Sequence, residues 1–260
     1  MMSYNIFDLW GITMNFKTME MFLQWIKQYE KYRLDCGIQG KCYKIGNKVF
    51  KIFTQFFDEE DDEMIIYSRD DILQFSSIGN GTYIFPSDTI VVGDIVVGYI
   101  TDYVDATSLY KMSPLNISLD VFEKKLEKAM TDIRVISDCG VRSFDVTYNI
   151  LYGACGFKVV DTMEYSRTNI NNIELYKINR DNFINEIRLF LIDGYFDEFI
   201  ERDDYLYSIC YGLDGNFIQF LKEFRMKLSE YEGSQILNLG CAKKSLNNSK
   251  KRSSKYIREI

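Results

Sequence analysis

The sequence predicts an α+β fold in which a small, mainly antiparallel β-rich N-lobe precedes a mainly helical C-lobe. Between residues 35 and 103, short runs of β-forming residues alternate with glycine-containing turns at 46–47 and 93–94. Residues 118–138 then place apolar side chains at helical spacing, and further helical stretches follow. This change of period along one chain favours two lobes, each with its own core.

The expected elements follow from local patterns along the chain. Residues 15–34 have helical spacing, and the acidic run 58–63 is expected to open a helix that ends near Phe75, because carboxylates favour helix N-termini. Strands are expected at 48–53, 82–85, 89–92, 95–103, 149–152 and 157–161. Further helices are expected at 118–138, 181–193, 198–211 and 215–231.

Composition excludes several classes of protein. The 19 Tyr and 19 Phe in 260 residues are incompatible with a disordered chain. The chain has no histidine, which excludes His-based catalytic triads and His metal sites. The net charge of −7 disfavours nucleic acid as the main partner of the folded body. Because the six cysteines form no CxxC pair and no signal peptide or transmembrane segment is evident, we expect a cytoplasmic protein with free thiols and no membrane partner.

These patterns divide the chain into four regions. An N-terminal helical extension is expected at 1–34, the β-rich lobe at 35–104, the helical lobe at 105–241 and a basic tail at 242–260. The tail holds seven Lys or Arg residues and one Glu. We expect it to be a solvated terminus, with binding to nucleic acid, to another acidic surface or to the acidic body as alternatives.

Lys51 interrupts an otherwise apolar strand, because both faces of 48–53 carry hydrophobic residues. A buried ammonium without an anion is costly, so Lys51 is expected to pair with a carboxylate or with a ligand phosphate. The alternative is an edge strand from which the lysine reaches water. The carboxylate could come from the predicted helix that follows, where Glu63, Asp70 and Asp71 are available.

A second group of polar residues surrounds the predicted hairpin near residue 150. Asp145 is followed by Asn149, which begins one strand, and Asp161 ends the next strand. Mg²⁺ takes one or two such oxygen ligands together with phosphates and water. The alternative is that these three residues only cap a turn and the ends of two strands.

The order of lysine strand, hairpin, amphipathic helix, Asp/Asn loop and strand-terminal Asp resembles the protein-kinase-like superfamily over residues 35 to about 165. The resemblance implies a two-lobed kinase-like fold. It also implies transfer of the γ-phosphate of ATP, with Mg²⁺, to a hydroxyl acceptor that is either a protein or a small molecule.

The resemblance also implies a role for each matching residue. The catalytic residues would be Asp145, which would orient or deprotonate the acceptor hydroxyl, and Lys51, which would hold the phosphates. Asn149 and Asp161 would hold the metal. Glu63 is the ion-pair candidate for Lys51. The residues implied to bind ATP are Gly37 and Gly40 in a reduced Gly-rich loop, Lys51, Thr101 as the gatekeeper, and Asp102, Tyr103 and Val104 in the adenine-binding hinge.

The chain departs from the family pattern on both sides of Asn149. Ser143 and Phe144 replace the family's His and Arg, and Asn149 follows Asp145 by four residues where the family has five. Thr and Met follow Asp161 in place of Phe and Gly, and no Ala-Pro-Glu segment follows. These departures leave an alternative open, a catalytically impaired pseudokinase that serves as a nucleotide- or protein-binding scaffold.

Overall fold

The structure is a computed structural model that describes residues 14–36, 40–56, 65–193, 195–212 and 216–244. The described chain forms two compact units. The first contains the residues up to Gly79, together with Ile84–Asp105 and Asp161–Met163; the second contains Asn80–Tyr83, Ala106–Val160 and the residues from Glu164 onward. The predicted α+β class is confirmed, with a β-rich first unit and a mainly helical second unit, as the kinase-like resemblance implies.

A six-stranded sheet forms the first unit. Its strands are β1 (Met14–Phe16), β2 (Arg33–Cys36), β3 (Gly40–Ile45), β4 (Lys48–Phe53), β5 (Asp88–Val92) and β6 (Ile95–Asp102). They lie in the order β1-β5-β6-β4-β3-β2, and all neighbours are antiparallel except β1 and β5. β4 is therefore an interior strand.

The two faces of β4 belong to two apolar clusters. Phe50 and Ile52 pack in one cluster with Phe22 and Ile26 of helix α1 (Met19–Lys27). The second cluster contains Phe53, Ile72, Val96, Tyr99 and Met163. The expectation that this strand is covered on both faces is confirmed, because successive side chains point to opposite sides of the sheet.

The N-terminal helix is shorter than predicted. The predicted helix over 15–34 is reduced to α1, which lies between β1 and β2. The side chain of Thr18 accepts a hydrogen bond from the Met21 N–H at 3.3 Å and starts the helix there. The helical pattern was visible in the sequence, but the short strands at its two ends were not.

The helix predicted to begin in the acidic run starts later. Residues 65–68 have no regular secondary structure, and helix α2 covers Arg69–Leu73. Ser68 caps it by accepting a hydrogen bond from the Asp71 N–H at 3.1 Å. Residues 58–63, including Glu63, lie outside the described residues.

The predicted strand at 82–85 is also absent. Tyr83 forms only an isolated bridge with Val159 in the second unit. The side chain of Asn80 holds this turn, because its Oδ1 accepts hydrogen bonds from the N–H groups of Thr82 and Tyr83 at 2.9 and 2.7 Å. These bonds to a side chain replace the bonds that a strand ladder would make.

Helices dominate the second unit. They are α3 (Leu119–Asp138), α4 (Asn172–Leu191), α5 (Asp197–Glu201), α6 (Asp204–Tyr211) and α7 (Phe217–Glu232). The helix predicted at 181–193 begins earlier because Asn171 caps α4, and the one predicted at 198–211 is divided because Asp203 caps α6. None of the helices in the described ranges is long and apolar enough to cross a membrane.

Short strands complete the second unit. They are β7 (Ala106–Ser108), β8 (Val141–Arg142), β9 (Ile150–Gly153), β10 (Gly156–Val159) and β11 (Ser166–Arg167). The predicted hairpin consists of β9 and β10, and β7 pairs with the other edge of β9. β8 pairs with β11 in a separate two-stranded sheet. Phe157 of β10 packs edge-on against Phe122 of α3 and Phe183 of α4, with ring centroids 5.1 and 5.5 Å away.

Candidate functional site

Lys51 lies in the middle of β4 with only 9% of its side chain exposed. Its cross-strand neighbours are Cys42 on β3 and Tyr99 on β6. Because β4 is an interior strand, the alternative of an edge lysine that reaches water is wrong. A cation in this position needs an anion nearby.

Asp161 is the carboxylate that contacts Lys51. Its Oδ1 accepts hydrogen bonds from Lys51 Nζ and from the Tyr99 hydroxyl, the latter at 2.9 Å. Of the carboxylates considered from the sequence, Asp71 instead accepts a hydrogen bond from Ser68 Oγ at 2.6 Å. Glu63 lies outside the described residues.

The tripeptide 161–163 is fixed to the first unit at each of its residues. Beside the contacts of Asp161, Thr162 Oγ1 donates to the carbonyl oxygen of Ile84 at 2.9 Å. The Met163 side chain is buried in the cluster that contains Tyr99. The Thr-Met pair that stands in place of Phe-Gly therefore holds Asp161 in position by a hydrogen bond and by apolar packing.

Gly40 and Gly98 lie so close to Lys51 and Ile52 that a larger residue at either position would collide with them. A Cβ at Gly40 would lie 2.7 Å from the Ile52 carbonyl oxygen and 3.1 Å from Cγ of Lys51. A Cβ at Gly98 would lie 2.3 Å from the Lys51 carbonyl oxygen. Gly40 was predicted to belong to a glycine-rich loop. In the structure it is the first residue of β3, and it lies against Lys51. Gly37 is outside the described residues.

The predicted adenine-binding stretch, 101–104, lies at the end of β6. Asp102 Oδ1 accepts a hydrogen bond from Lys48 Nζ at 2.6 Å. The Tyr103 N–H donates to the Asn47 carbonyl oxygen at 2.9 Å. In this arrangement the N–H of Tyr103 is already used within the sheet, so hinge hydrogen bonds to a base would come from Asp102 and Val104.

Asp145 and Asn149 belong to one tight loop of the second unit. Asn149 Nδ2 donates to the Asp145 carbonyl oxygen at 2.8 Å, and the Asp145 side chain is exposed. The Asn149 carbonyl oxygen accepts a hydrogen bond from the Val160 N–H at 3.0 Å. Val160 is the residue immediately before Asp161.

The candidate residues have unusual backbone conformations. Among the described residues, the non-glycine residues with positive φ are Asp145 at 42°, Tyr148 at 66° and Asp161 at 60°. Aspartate adopts this region several times more often than most residues, whereas a bulky tyrosine there is an outlier. Such conformations persist only where their surroundings impose them, and they are concentrated at functional sites.

Sequence reasoning missed Asn179 of α4, which anchors the segment leading into this loop. The Asn179 side chain is fully buried; its Oδ1 accepts hydrogen bonds from Ser143 N and Oγ at 2.9 and 3.0 Å. Its Nδ2 donates to Ser137 Oγ at 3.0 Å and to the Val141 carbonyl oxygen at 2.8 Å. A signal was present in the sequence, because Asn179 interrupts an apolar stripe at four-residue spacing. The stripe is Leu175, Asn179, Phe183 and Ile187.

Sequence reasoning also missed Glu186, which braces the same loop from α4. Its two carboxylate oxygens accept hydrogen bonds from Thr147 Oγ1 at 2.9 Å and from the Tyr110 hydroxyl at 2.8 Å. The Tyr110 ring in turn lies against Tyr148, with centroids 4.3 Å apart. Desolvation, followed by the hydrogen bond to Glu186, raises the pKa of Tyr110 to about 12, so its hydroxyl stays protonated and remains a donor.

The donor set of Asp161 fits a magnesium ion that also binds phosphates. Both hydrogen bonds to its side chain fall on Oδ1, and within the described ranges Oδ2 accepts none. The side chain of Asp161 is 28% exposed. The part of the chain that the structure describes contains no group of three His, Cys, Asp or Glu side chains that could hold a metal alone. Mg²⁺ in phosphate-binding sites needs only one or two protein carboxylates.

The chain has neighbours among the proteins of solved structure. No family model matches the chain, and no curated protein sequence matches it. The chain is similar to the kinase PK-1 of Cydia pomonella granulovirus, with 14% identity and a TM-score of 0.37. The match covers 58% of this chain and 60% of that chain, so it spans less than two thirds of the viral kinase.

Proposed function

We propose that this chain is an ATP- and Mg²⁺-dependent phosphotransferase of the protein-kinase-like superfamily that transfers the γ-phosphate to a hydroxyl acceptor, either a protein or a small molecule. The observation that supports this proposal best is the buried contact between Lys51 and Asp161. One group is the type of cation that binds phosphate, and the other is the type of ligand that binds Mg²⁺. Phosphoryl transfer depends mainly on positioning and charge neutralisation, so a chain without histidine can perform it.

In this proposal Lys51 exchanges its partner when nucleotide binds. Lys51 Nζ leaves Asp161 for the phosphate oxygens, and its stem keeps its place beside Gly40 and Gly98. Asp161 would hold Mg²⁺, with the side-chain oxygen of Asn149 as the second ligand that the resemblance implies, and the ion would neutralise charge on the phosphates. Tyr99 keeps its hydrogen bond to Asp161 Oδ1 and so preserves the orientation of the carboxylate during the exchange.

The remaining candidates position the nucleotide and the acceptor. Residues 101–104 contact the base, with Asp102 and Val104 supplying main-chain hydrogen bonds and Thr101 beside them. The resemblance assigns Gly37 and Gly40 to the phosphates, and Gly40 lies against Lys51. Asp145 accepts the proton of the acceptor hydroxyl as that oxygen attacks the γ-phosphorus, and ADP leaves from the opposite side.

The binding half of the proposal is tested by thermal unfolding with and without saturating ATP and Mg²⁺. A ligand at about a hundred times its Kd stabilises the native state by about 2.7 kcal/mol, which raises Tm by about 2–4 °C for a chain of this size. Lys51→Met should abolish the shift, and Asp161→Asn should reduce it to the shift that ATP gives without Mg²⁺. Lys27→Met is the control, because Lys27 is an exposed lysine of α1 in the same unit and takes no part in the proposed site. An absent shift in the wild type, or a full shift in Lys51→Met, contradicts the proposal.

The catalytic half is tested by Mg²⁺-dependent formation of ADP and by self-phosphorylation with radiolabelled ATP. Asp145→Asn should retain the thermal shift and lose turnover on the order of a hundredfold or more, since general base catalysis contributes about 10²–10⁴-fold. Equal turnover in the wild type and Asp145→Asn contradicts the assigned role of Asp145.

A pseudokinase scaffold is the second candidate function, and one observation favours it. The amide of Asn149, a candidate metal ligand, closes its own loop through the hydrogen bond to the Asp145 carbonyl oxygen. A scaffold of this kind would show a nucleotide-dependent thermal shift, with or without Mg²⁺, and no ADP formation. The pair of measurements therefore separates the two candidates.

A further inference from the structure

A cavity of about 480 Å³ in the second unit lies along α4, between that helix and α6 and α7, with Met130 of α3 at its wall. Its volume falls within the range of small-molecule binding sites. The α4 residues that line it include Tyr176, Arg180, Ile184 and Arg188, which recur every four residues on one face. None of the residues discussed above as phosphotransfer candidates lines this cavity.

The cavity has a net positive charge. Two arginines and one aspartate line it, which leaves one positive charge. Arg180 is already neutralised, because its guanidinium contacts Asp181 Oδ1 at 2.7 Å. Burial raises the pKa of the lining Cys210 thiol to about 12, so that group stays neutral.

Arg188 is the second arginine in the wall of the cavity. Its guanidinium lies 4.9 Å from the centre of the Tyr211 ring. Its Nε is buried and donates no hydrogen bond to any of the described residues. A guanidinium in the wall of a cavity can donate charge-assisted hydrogen bonds to an anion bound there. Asp193, the carboxylate that acts electrostatically on Arg188, does not line the cavity.

Apolar side chains form part of the wall. Ile184 on α4 faces the cavity together with Ile209 of α6 and Phe217 of α7. Asn185 and Asn216 add side-chain amides that can orient a ligand. An inorganic anion alone would leave the apolar wall without a partner, so the surroundings favour an anion that also has an apolar body.

We propose that this cavity binds a small amphipathic anion, whose carboxylate or phosphate contacts Arg188 and whose apolar body lies against Ile184 and Phe217. The proposal does not depend on phosphotransfer, since the lining residues belong to the second unit and take no part in the proposed nucleotide site.

Calorimetric titration of the full chain with 1-naphthyl phosphate, 1-naphthoate and inorganic phosphate tests this site. At least one naphthyl compound should bind, and more tightly than inorganic phosphate; the tighter of the two identifies the preferred anionic group. Arg188→Gln should weaken that binding on the order of tenfold to a hundredfold, the value of a lost charge-assisted hydrogen bond. Arg202→Gln removes the same charge from an exposed arginine of the same unit and should leave binding unchanged.

A second variant tests the apolar part of the cavity. Ile184→Trp places a larger side chain in the cavity and should weaken naphthyl binding more than it weakens inorganic phosphate. Circular dichroism and urea unfolding establish that each variant is folded before titration. The proposal is overturned if no naphthyl compound binds the folded wild type, if Arg188→Gln binds as tightly as the wild type, or if inorganic phosphate binds as tightly as the naphthyl compounds.

Discussion

Each of the two units contains a hydrogen-bonded polar group among its buried residues. The group in the first unit is charged, and the group in the second unit is neutral. In the first unit, Lys51, Asp161 and Tyr99 form a charged group whose carboxylate is 28% exposed. In the second, Asn179 is neutral and fully buried, and it makes four hydrogen bonds to the segment 137–143.

This difference separates a group that can exchange partners from one that cannot. The amide of Asn179 uses both its oxygen and its nitrogen within the unit, so no bond remains to offer a ligand. Asp161 retains an oxygen, Oδ2, that accepts no hydrogen bond from the described residues, and Lys51 can exchange a carboxylate for a phosphate at little cost in charge pairing. We therefore assign anchoring to the neutral group and ligand binding to the charged one.

The largest effect on stability is expected from Asn179→Leu. Leucine leaves the Ser143 N–H and the Val141 carbonyl group buried without partners, which should lower the free energy of unfolding by about 2–4 kcal/mol. Urea unfolding measures the change. Asn182→Leu is the control, because Asn182 is half-buried and donates one hydrogen bond to the Ser143 carbonyl oxygen at 3.2 Å. Equal losses in the two variants would contradict an anchoring role specific to Asn179.

Coupling between Lys51 and Asp161 should be the next largest effect. Lys51→Met removes the partner of a partly exposed carboxylate and should cost about 1–3 kcal/mol, below the value for a fully buried pair. The double variant Lys51→Met/Asp161→Asn should cost less than the two single variants added together, because the unpaired charge is gone. Urea unfolding of all four proteins gives the coupling. Additive losses would show that the two groups do not interact in solution.

A smaller loss is expected from Tyr99→Phe. This change removes the hydroxyl that donates to Asp161 Oδ1 and keeps the ring in its apolar cluster. The free energy of unfolding should fall by about 1 kcal/mol, which is the typical net contribution of one intramolecular hydrogen bond to stability. Thermal unfolding measures it. No change in stability would mean that Tyr99 does not hold the carboxylate, and the orientation of Asp161 would then rest on Lys51 and Thr162 alone.

The smallest effect is expected from Tyr148→Asn. Asparagine tolerates the left-handed backbone at this position far better than tyrosine, so relief of strain should stabilise the protein by about 0.5–1 kcal/mol. Loss of the contact with the tilted Tyr110 ring would reduce this gain. Thermal unfolding again measures the change. A loss of stability would show that contact with Tyr110 outweighs the backbone strain.

The sequence was sufficient to predict features set by local pattern. The apolar faces of 48–53 predicted a covered strand, and the spacing of apolar residues over 118–138 predicted α3 to within one residue at its start. Gly46 and Gly93 marked the hairpin turns, and both have positive φ. In each case the information lies within a short window of the chain.

Contacts between distant segments were not predictable from such windows. Lys51 and Asp161 are separated by 110 positions, and nearby acidic residues offered equally reasonable partners. The start of α2 depended on the cap at Ser68, which overrode the acidic run before it. Asn179 stood out as a polar residue in an apolar stripe, yet its partners became known only when the fold placed Ser143 beside it.

The most direct test of the central claim is calorimetric titration of ATP into the wild type and Asp161→Asn, each with and without Mg²⁺. If Asp161 binds the metal that accompanies the nucleotide, Mg²⁺ should tighten ATP binding to the wild type by about tenfold or more, and this enhancement should disappear in Asp161→Asn. ATP binding without Mg²⁺ should be similar in the two proteins or tighter in the variant, since a negative charge near the phosphates has been removed. An equal Mg²⁺ enhancement in both proteins would contradict the account, because Asp161 would then only pair with Lys51.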